Sequence, residues 1–393
     1  MKYNFDEVIN RFDTKCLKWD GLEERFGILD KDVLPLWVAD MDFEAPKCVI
    51  DAIVNRASHG IFGYAGGYNS YYDSVINWMR NRHNWYIKKE WIVFTPGIVP
   101  ALNIIVKALT KPGDKVIIQS PIYPPFFKSV MNNGCEVVNN PLKFNGEKYV
   151  MDFDDLEKKI DNTVKLMFLC SPHNPVGRVW SKEELKRLGD ICIRNNIILV
   201  SDEIHSDLVL KDYKHTPLAS ISEEFAQNAI VCTAPSKTFN IAGLQTSNII
   251  IPNEVIRNKF LKARESCGIS KPNTFGIEAL EAAYRYGEEW LDHILVYIEQ
   301  NLNYLTKYIE ENIPRVKVIQ PEATYLVWLD LRKLGLNKND LENIIFNKGK
   351  LILNQGYTYG KEGEGFVRIN IACPQSILKE GLSRLKNSID NQL

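Results

Sequence analysis

Four short polar segments, each directly following an apolar run, hold the side chains of this chain that are best suited to chemistry. They are Ser120-Pro-Ile-Tyr123, Ser171-Pro-His-Asn174-Pro-Val-Gly177, Asp202-Glu-Ile-His205 and Ala234-Pro-Ser236-Lys237-Thr-Phe-Asn240. An aromatic ring, an amide, a carboxylate and a lysine therefore recur at equivalent places in successive units. A lysine held against an apolar strand end loses hydration, which lowers its pKa toward a nucleophilic amine. Each residue alone has an ordinary reading: Lys237 as a solvated cation, Asp202 as a helix cap, Tyr123 as a packed loop ring. Their common position is what sets them apart.

Together these groups meet the needs of pyridoxal 5'-phosphate, whose ring must be stacked, kept protonated at its pyridine nitrogen and attached through a lysine. Lys237 would make the attachment, and Asp202 would hold the charge on the ring nitrogen. Asn174 would donate to the phenolic oxygen. Tyr123 would cover the ring face, where offset aromatic contact contributes about 0.5–1.5 kcal/mol beyond area burial. The six histidines show no HExxH or paired metal spacing, and no catalytic metal is expected.

Residues so far apart in sequence converge only if a sheet gathers them. In an open parallel sheet, ligands bind beyond the carboxyl ends of the strands. From about residue 90 to 285, short apolar runs alternate with longer amphipathic stretches, as in a mostly parallel sheet covered by helices. The runs 115–119, 164–170, 197–201, 229–233 and 247–251 predict strands, each rich in Val, Ile or Leu with little polar alternation. Near Glu289 a long helix begins, with Leu291, Ile294, Leu295, Ile298, Leu302, Leu305 and Ile309 as its core stripe. Runs at 316–319, 325–329 and 366–371 then predict strands of a second, smaller domain. The expected organisation is a large domain over 46–285 and a small one built from 1–45 plus 286–393.

The bulk properties agree with an enzyme of a small ligand. A chain of 393 residues suggests two domains, and 45% hydrophobic residues suffice for packed cores. Lys plus Arg is 48 against 49 for Asp plus Glu, which argues against nucleic acid or an anionic membrane as partner. No apolar run is long enough to span a bilayer, and residues 1–13 lack the pattern of a secretory signal, so a cytoplasmic protein is expected. Cysteines 16, 48, 135, 170, 192, 232, 267 and 373 are scattered, which predicts buried, reduced thiols.

Five motifs carry a family resemblance: Trp37-Val-Ala-Asp-Met-Asp-Phe43, Ser171-Pro-His-Asn-Pro-Val-Gly177, Asp202-Glu-Ile-His205, Ser236-Lys-Thr-Phe-Asn-Ile-Ala-Gly243 and Phe366-Val-Arg-Ile-Asn370. As a set they resemble fold-type I pyridoxal phosphate enzymes of the class I/II aminotransferase superfamily, in its cystathionine β-lyase branch of C–S lyases, over nearly the whole chain. The resemblance implies an α/β fold, with a mostly parallel seven-stranded sheet sandwiched by helices and a smaller α+β domain. It implies that Arg368 clamps the substrate α-carboxylate, a task suited to a planar guanidinium fork, with Asn174 and the backbone N–H of Ala39 beside it. Backbone N–H groups of Gly97, Ile98 and Val99 would hold the phosphate at a helix N-terminus, with Ser236. Tyr64, in Gly63-Tyr-Ala-Gly-Gly-Tyr68, would reach the phosphate of the other subunit's cofactor, making a homodimer part of the site. Asn273 and Thr274 would also reach across.

Two positions depart from the wider aminotransferase pattern. Ala234 stands where many members have serine, and Gln245 where many have a phosphate-binding arginine. Phosphate charge must then be met by backbone dipoles, Ser236 and tyrosine hydroxyls. His205 stands where many aminotransferases place a tyrosine that bonds the phenolic oxygen; a neutral imidazole could make that bond, and the alternative reading is a packed histidine. Three readings of function follow. The leading one is a C–S β-lyase acting on cystathionine or a related cysteine thioether. The second is an amino acid aminotransferase using the same residues. The third is a regulatory, partner-binding protein on the same fold, against which the intact lysine, aspartate and arginine set argues.

Overall fold

The computed structural model describes residues 3–28, 30–66 and 69–391 of the chain. A seven-stranded sheet lies at its centre. In chain order the strands are β1 (Ile92–Thr95), β2 (Lys115–Ile118), β3 (Glu136–Asn139), β4 (Val164–Cys170), β5 (Ile198–Asp202), β6 (Ala229–Thr233) and β7 (Ser247–Ile250). Their spatial order is β1-β7-β6-β5-β4-β2-β3. Only β7 runs antiparallel, against both β1 and β6, and the remaining pairs are parallel. After β3 the chain crosses back to the other side of β2, so the loops leaving β2 and β4 diverge. That divergence opens a crevice at the carboxyl edge.

The strands are apolar because both faces are covered. On one side Ile104, Ile105, Phe126 and Phe260, from helices that include Ile98–Leu109 and Glu254–Ser266, pack on Phe168 and Cys232. On the other side Met167, Leu169, Leu199 and Val231 belong to a core that continues without a break into the last third of the chain, reaching Trp328 and Leu382. A second, antiparallel sheet there contains β8 (Lys317–Ile319), β9 (Leu326–Asp330), β10 (Asn354–Gln355) and β11 (Phe366–Asn370) in the order β8-β9-β11-β10. The segment Leu34–Pro35 pairs in parallel with Leu351–Ile352 in a separate two-stranded sheet, which ties the amino-terminal stretch to the last third of the chain.

The expected strands all form, shifted by a residue at some ends, and Asp202 becomes the last residue of β5 instead of the first beyond it. Two strands of the large sheet escaped the apolar-run criterion, as did the two-residue β10 of the second sheet. β3 is an edge strand whose residues are half-buried or exposed, so its composition is mixed, and β1 is four residues long behind a short 3-10 turn at Lys89–Trp91. The long helix runs Glu288–Asn312 with its stripe buried, except that Leu295 is only partly covered. The cysteines correct one expectation. All eight are free thiols, but Cys16 and Cys48 are half-buried and Cys267 is exposed. Among the described residues no helix is long and apolar enough to cross a membrane.

Candidate active site

A cleft of about 270 Å³ opens at the carboxyl edge of the large sheet. Tyr123 enters it from the loop after β2, Asn174 from the loop after β4, and Asp202 and His205 from the end of β5. Ser236 and Lys237 line it from a single helical turn, Pro235–Thr238, that follows β6. Gly97, Ile98 and Val99 close one end, and Ala39 arrives from the amino-terminal segment. Arg368, on β11, lines an adjoining cleft of about 820 Å³ that shares Ala39, Tyr123 and Lys237 with the first. The structure thus brings together every expected site residue except Tyr64, Asn273 and Thr274, the three expected to serve the other subunit. That tyrosine is fully exposed and lines a separate surface hollow with Thr274, outside the Lys237 cleft of its own chain. Gly67 and Tyr68 of its motif lie outside the described residues.

The electrostatics of the cleft suit proton transfer. Lys237 Nζ donates to the carbonyl of Ala39 at 2.7 Å. Burial lowers its pKa to about 8, against the pull of Asp40, and the nearby Arg368 guanidinium lowers it further. Ala39 therefore engages the lysine through its carbonyl, which also accepts from the Tyr325 hydroxyl at 3.0 Å. Burial raises Asp202 to about 7, opposed by the Ile204 N–H that its Oδ1 accepts at 3.1 Å. His205 is buried and pushed down to about 3, so its ring is neutral, and its Nδ1 has no partner.

A buried carboxyl poised near neutrality asks for a cation. Without one, Asp202 contributes stability that is present below its unfolded pKa and lost as pH rises through about 7. Asp202→Asn is therefore expected to stabilise the cofactor-free protein relative to wild type as pH rises from 4 to 7, by an amount on the order of 3–4 kcal/mol at the upper end. Urea unfolding at several pH values measures this. A difference that does not grow with pH would show that the carboxyl is not desolvated.

Arg368 is 3% exposed and tightly held. Its Nη1 donates to Asn174 Oδ1 at 3.0 Å, and its Nη2 donates to the Trp37 carbonyl at 2.8 Å and to Asn354 Oδ1 at 2.6 Å. One Nη1 N–H stays available to a carboxylate, while Nε has no partner and is sealed from solvent. The bond from Arg368 also fixes the Asn174 amide, leaving its NH₂ for a ligand oxygen. Asn354 was missed by sequence reasoning. It lies directly opposite Arg368 in the β10–β11 register, a relation that a separation of 14 residues does not reveal.

At the other end, Gly97 caps the helix Ile98–Leu109 with no side-chain bond, and Pro100 has no N–H to offer. Ile98 and Val99 line the cleft at the first two helical positions, where backbone N–H groups lack an intrahelical partner and suit an anion. Gln245 lines the same end in a left-handed conformation (φ 48°), with Thr246 behind it. Ala234 is buried and offers no hydroxyl. Asn273 has work within its own chain: it caps the helix Thr274–Tyr286 through Gly276 N–H and donates to the Leu244 carbonyl at 2.7 Å.

A buried carboxyl without a cation, a neutral imidazole with a spare nitrogen, an amide with a fixed NH₂ and an uncapped helix end fit one flat, anionic, nitrogen-containing ring. On this sheet, they define a fold-type I pyridoxal phosphate enzyme. Residues 31–385 match the family model for aminotransferase class I and II, and the chain belongs to that family. It is 46% identical to cystathionine beta-lyase PatB of Bacillus subtilis, over 98% of this chain and 100% of that protein. It is 34% identical to protein MalY of Escherichia coli, over 98% and 99% of the two chains. Cystalysin of Treponema denticola, solved with pyridoxal 5'-phosphate, superposes with a TM-score of 0.97 at 39% identity over 100% of both chains.

Proposed function

We propose that this chain is a pyridoxal phosphate-dependent C–S β-lyase, cleaving cystathionine or a related cysteine thioether to pyruvate, ammonia and a thiol. The observation that carries the reading is the end-to-end similarity to a cystathionine β-lyase, in a chain whose Lys237, Asp202, Asn174 and Arg368 meet at adjoining clefts. Bound pyridoxal phosphate supplies an electron sink for the charge left when an amino acid loses its α-proton. Lys237, with its pKa near 8, is the base that takes that proton. The same Nζ then holds a proton that can be delivered to the departing sulfur. Arg368 orients the substrate by its α-carboxylate, through its charge and the Nη1 N–H that the protein leaves free. Asp202 would hold the ring nitrogen and His205 the phenolic oxygen, while Tyr123 would cover the ring and Ser236, Ile98 and Val99 would hold the phosphate.

Three further elements of the reading concern assembly. The full exposure of Tyr64 beside Thr274 supports a homodimer in which this tyrosine completes the other subunit's phosphate site. The pairing of Leu34–Pro35 with Leu351–Ile352 supports a small domain of residues 1–45 plus 286–393 on a large domain of 46–285. Eight unpaired cysteines support a reducing, cytoplasmic setting.

The deciding experiment is a product assay. With L-cystathionine, purified protein should release pyruvate and free thiol far faster than it forms keto acid from ordinary amino acids and an acceptor. The reverse ratio would replace the lyase with an aminotransferase. Arg368→Lys should raise KM by about 10- to 100-fold, since the three N–H groups of an ammonium cannot keep the Asn174, Trp37 and Asn354 bonds and still offer a donor to a carboxylate. Cofactor loading, read from visible absorbance, should be unchanged, and a mutant with wild-type KM would remove Arg368 from the site.

A further inference from the structure

A β-lyase that uses Arg368 for the α-carboxylate still has to choose among thioethers by their far end. The larger cleft holds a group placed to do so. Arg25 lines it from the short helix Leu22–Phe26. Every other arginine of the chain has a hydrogen-bond or ion-pair partner. Among the described residues Arg25 has none, and its guanidinium carbon instead sits 4.8 Å from the centre of the Trp37 ring.

That ring is a fixed platform. Trp37 is 4% exposed, its Nε1 donates to the Lys18 carbonyl at 3.2 Å, and Phe26 packs edge-on against it at 5.0 Å. The carbonyl of the same residue accepts from Arg368. One rigid tryptophan therefore holds two guanidinium groups, one by its backbone and one by its ring, both facing one cleft. Stacking on an aromatic face leaves all the edge donors of a guanidinium available. Glu342 is the only acid lining this cleft among the described residues, and it accepts from the Tyr357 hydroxyl at 2.5 Å. The other charged residues of the lining are Arg25, Lys128, Lys237 and Arg368, all cations, and the α-carboxylate is assigned to Arg368 alone among them.

We propose that Arg25 determines specificity by binding a carboxylate at the distal end of the thioether, so that the preferred substrates are cysteine S-conjugates with an acid on the departing thiol. The inference rests on the β-lyase reading and adds the substrate class to it. A carboxylate suits the site better than a neutral tail because a bidentate pair gives both charge and direction. Arg25 is exposed at the rim of the cleft, so a purely apolar tail would leave its edge to water and gain nothing from it.

The test compares S-(3-carboxypropyl)-L-cysteine with its primary amide, which has the same shape and no charge. For wild type, kcat/KM for pyruvate release should favour the acid by about 10- to 100-fold, the difference lying in KM. Arg25→Gln should bring that ratio close to one, and Arg25→Lys should leave it between the two. Lys128→Gln, which alters the other unpaired cation of the cleft, should keep the wild-type ratio. Both substrates are assayed on one preparation, so a partly folded variant does not alter the ratio. An unchanged ratio in Arg25→Gln, or a collapse in Lys128→Gln instead, overturns the assignment. If wild type turns over both compounds with equal KM, the inference fails while the lyase reading stands. If neither yields pyruvate, the lyase reading fails and takes the inference with it.

Discussion

Replacing Lys237 by alanine is expected to leave the fold intact and to lower β-elimination by about 10⁴-fold or more. The lysine serves as attachment point, as base and as proton donor, and acid–base assistance alone contributes about 10²–10⁴-fold. The fold should survive because the group that Lys237 satisfies, the Ala39 carbonyl, keeps the Tyr325 hydroxyl at 3.0 Å. Removing a buried amine with a depressed pKa also removes a desolvation cost. Borohydride reduction of wild type followed by peptide mapping should place the cofactor on Lys237, and Lys237→Ala should retain none after reduction and denaturation. A cofactor fixed to any other lysine would displace the whole assignment of strand ends.

Asp202→Asn should have the next largest effect. Its carboxyl sits at about 7 with no cation bonded to it, and a cationic ring nitrogen beside it would return it to the charged form. An amide holds no such charge, so the developing carbanion loses its stabilising field. Turnover should fall by about 10²–10³-fold, the range for loss of one preorganised electrostatic partner. Attachment to Lys237 should continue, because the amine lies on a different element. The measurement is single-turnover α-proton exchange from deuterated substrate, alongside cofactor absorbance. Exchange at the wild-type rate would reduce Asp202 to a structural residue, and the pH-dependent stabilisation expected of the same variant checks its burial independently.

How much of this was legible beforehand depends on the kind of relation involved. Buried strands advertise themselves, since a run such as 229–233, covered on both faces, can hold little but apolar residues. The residue that ends such a run is then positioned by topology, so Tyr123, Asn174, Asp202 and Lys237 could be gathered from their places after strands alone. An edge strand such as Glu136–Asn139 carries a mixed composition and no such signal. Cysteine burial was overestimated for the same reason: residue type sets a tendency, and Cys267 sits where the helix Glu254–Ser266 ends in solvent.

What the sequence by itself determined is the chemistry of the carboxyl edge, because order along a parallel sheet converts directly into proximity. What only the tertiary structure decided is how those groups are tuned and what they face. The depressed pKa of Lys237 and the raised one of Asp202 come from burial by segments far away in the chain. The grip of Asn354 on Arg368 comes from an antiparallel register, and the seat of Arg25 on Trp37 from the packing of an amino-terminal turn against the site. Such contacts depend on through-space distances between elements that no periodicity links, so they exist only once the chain has closed on itself.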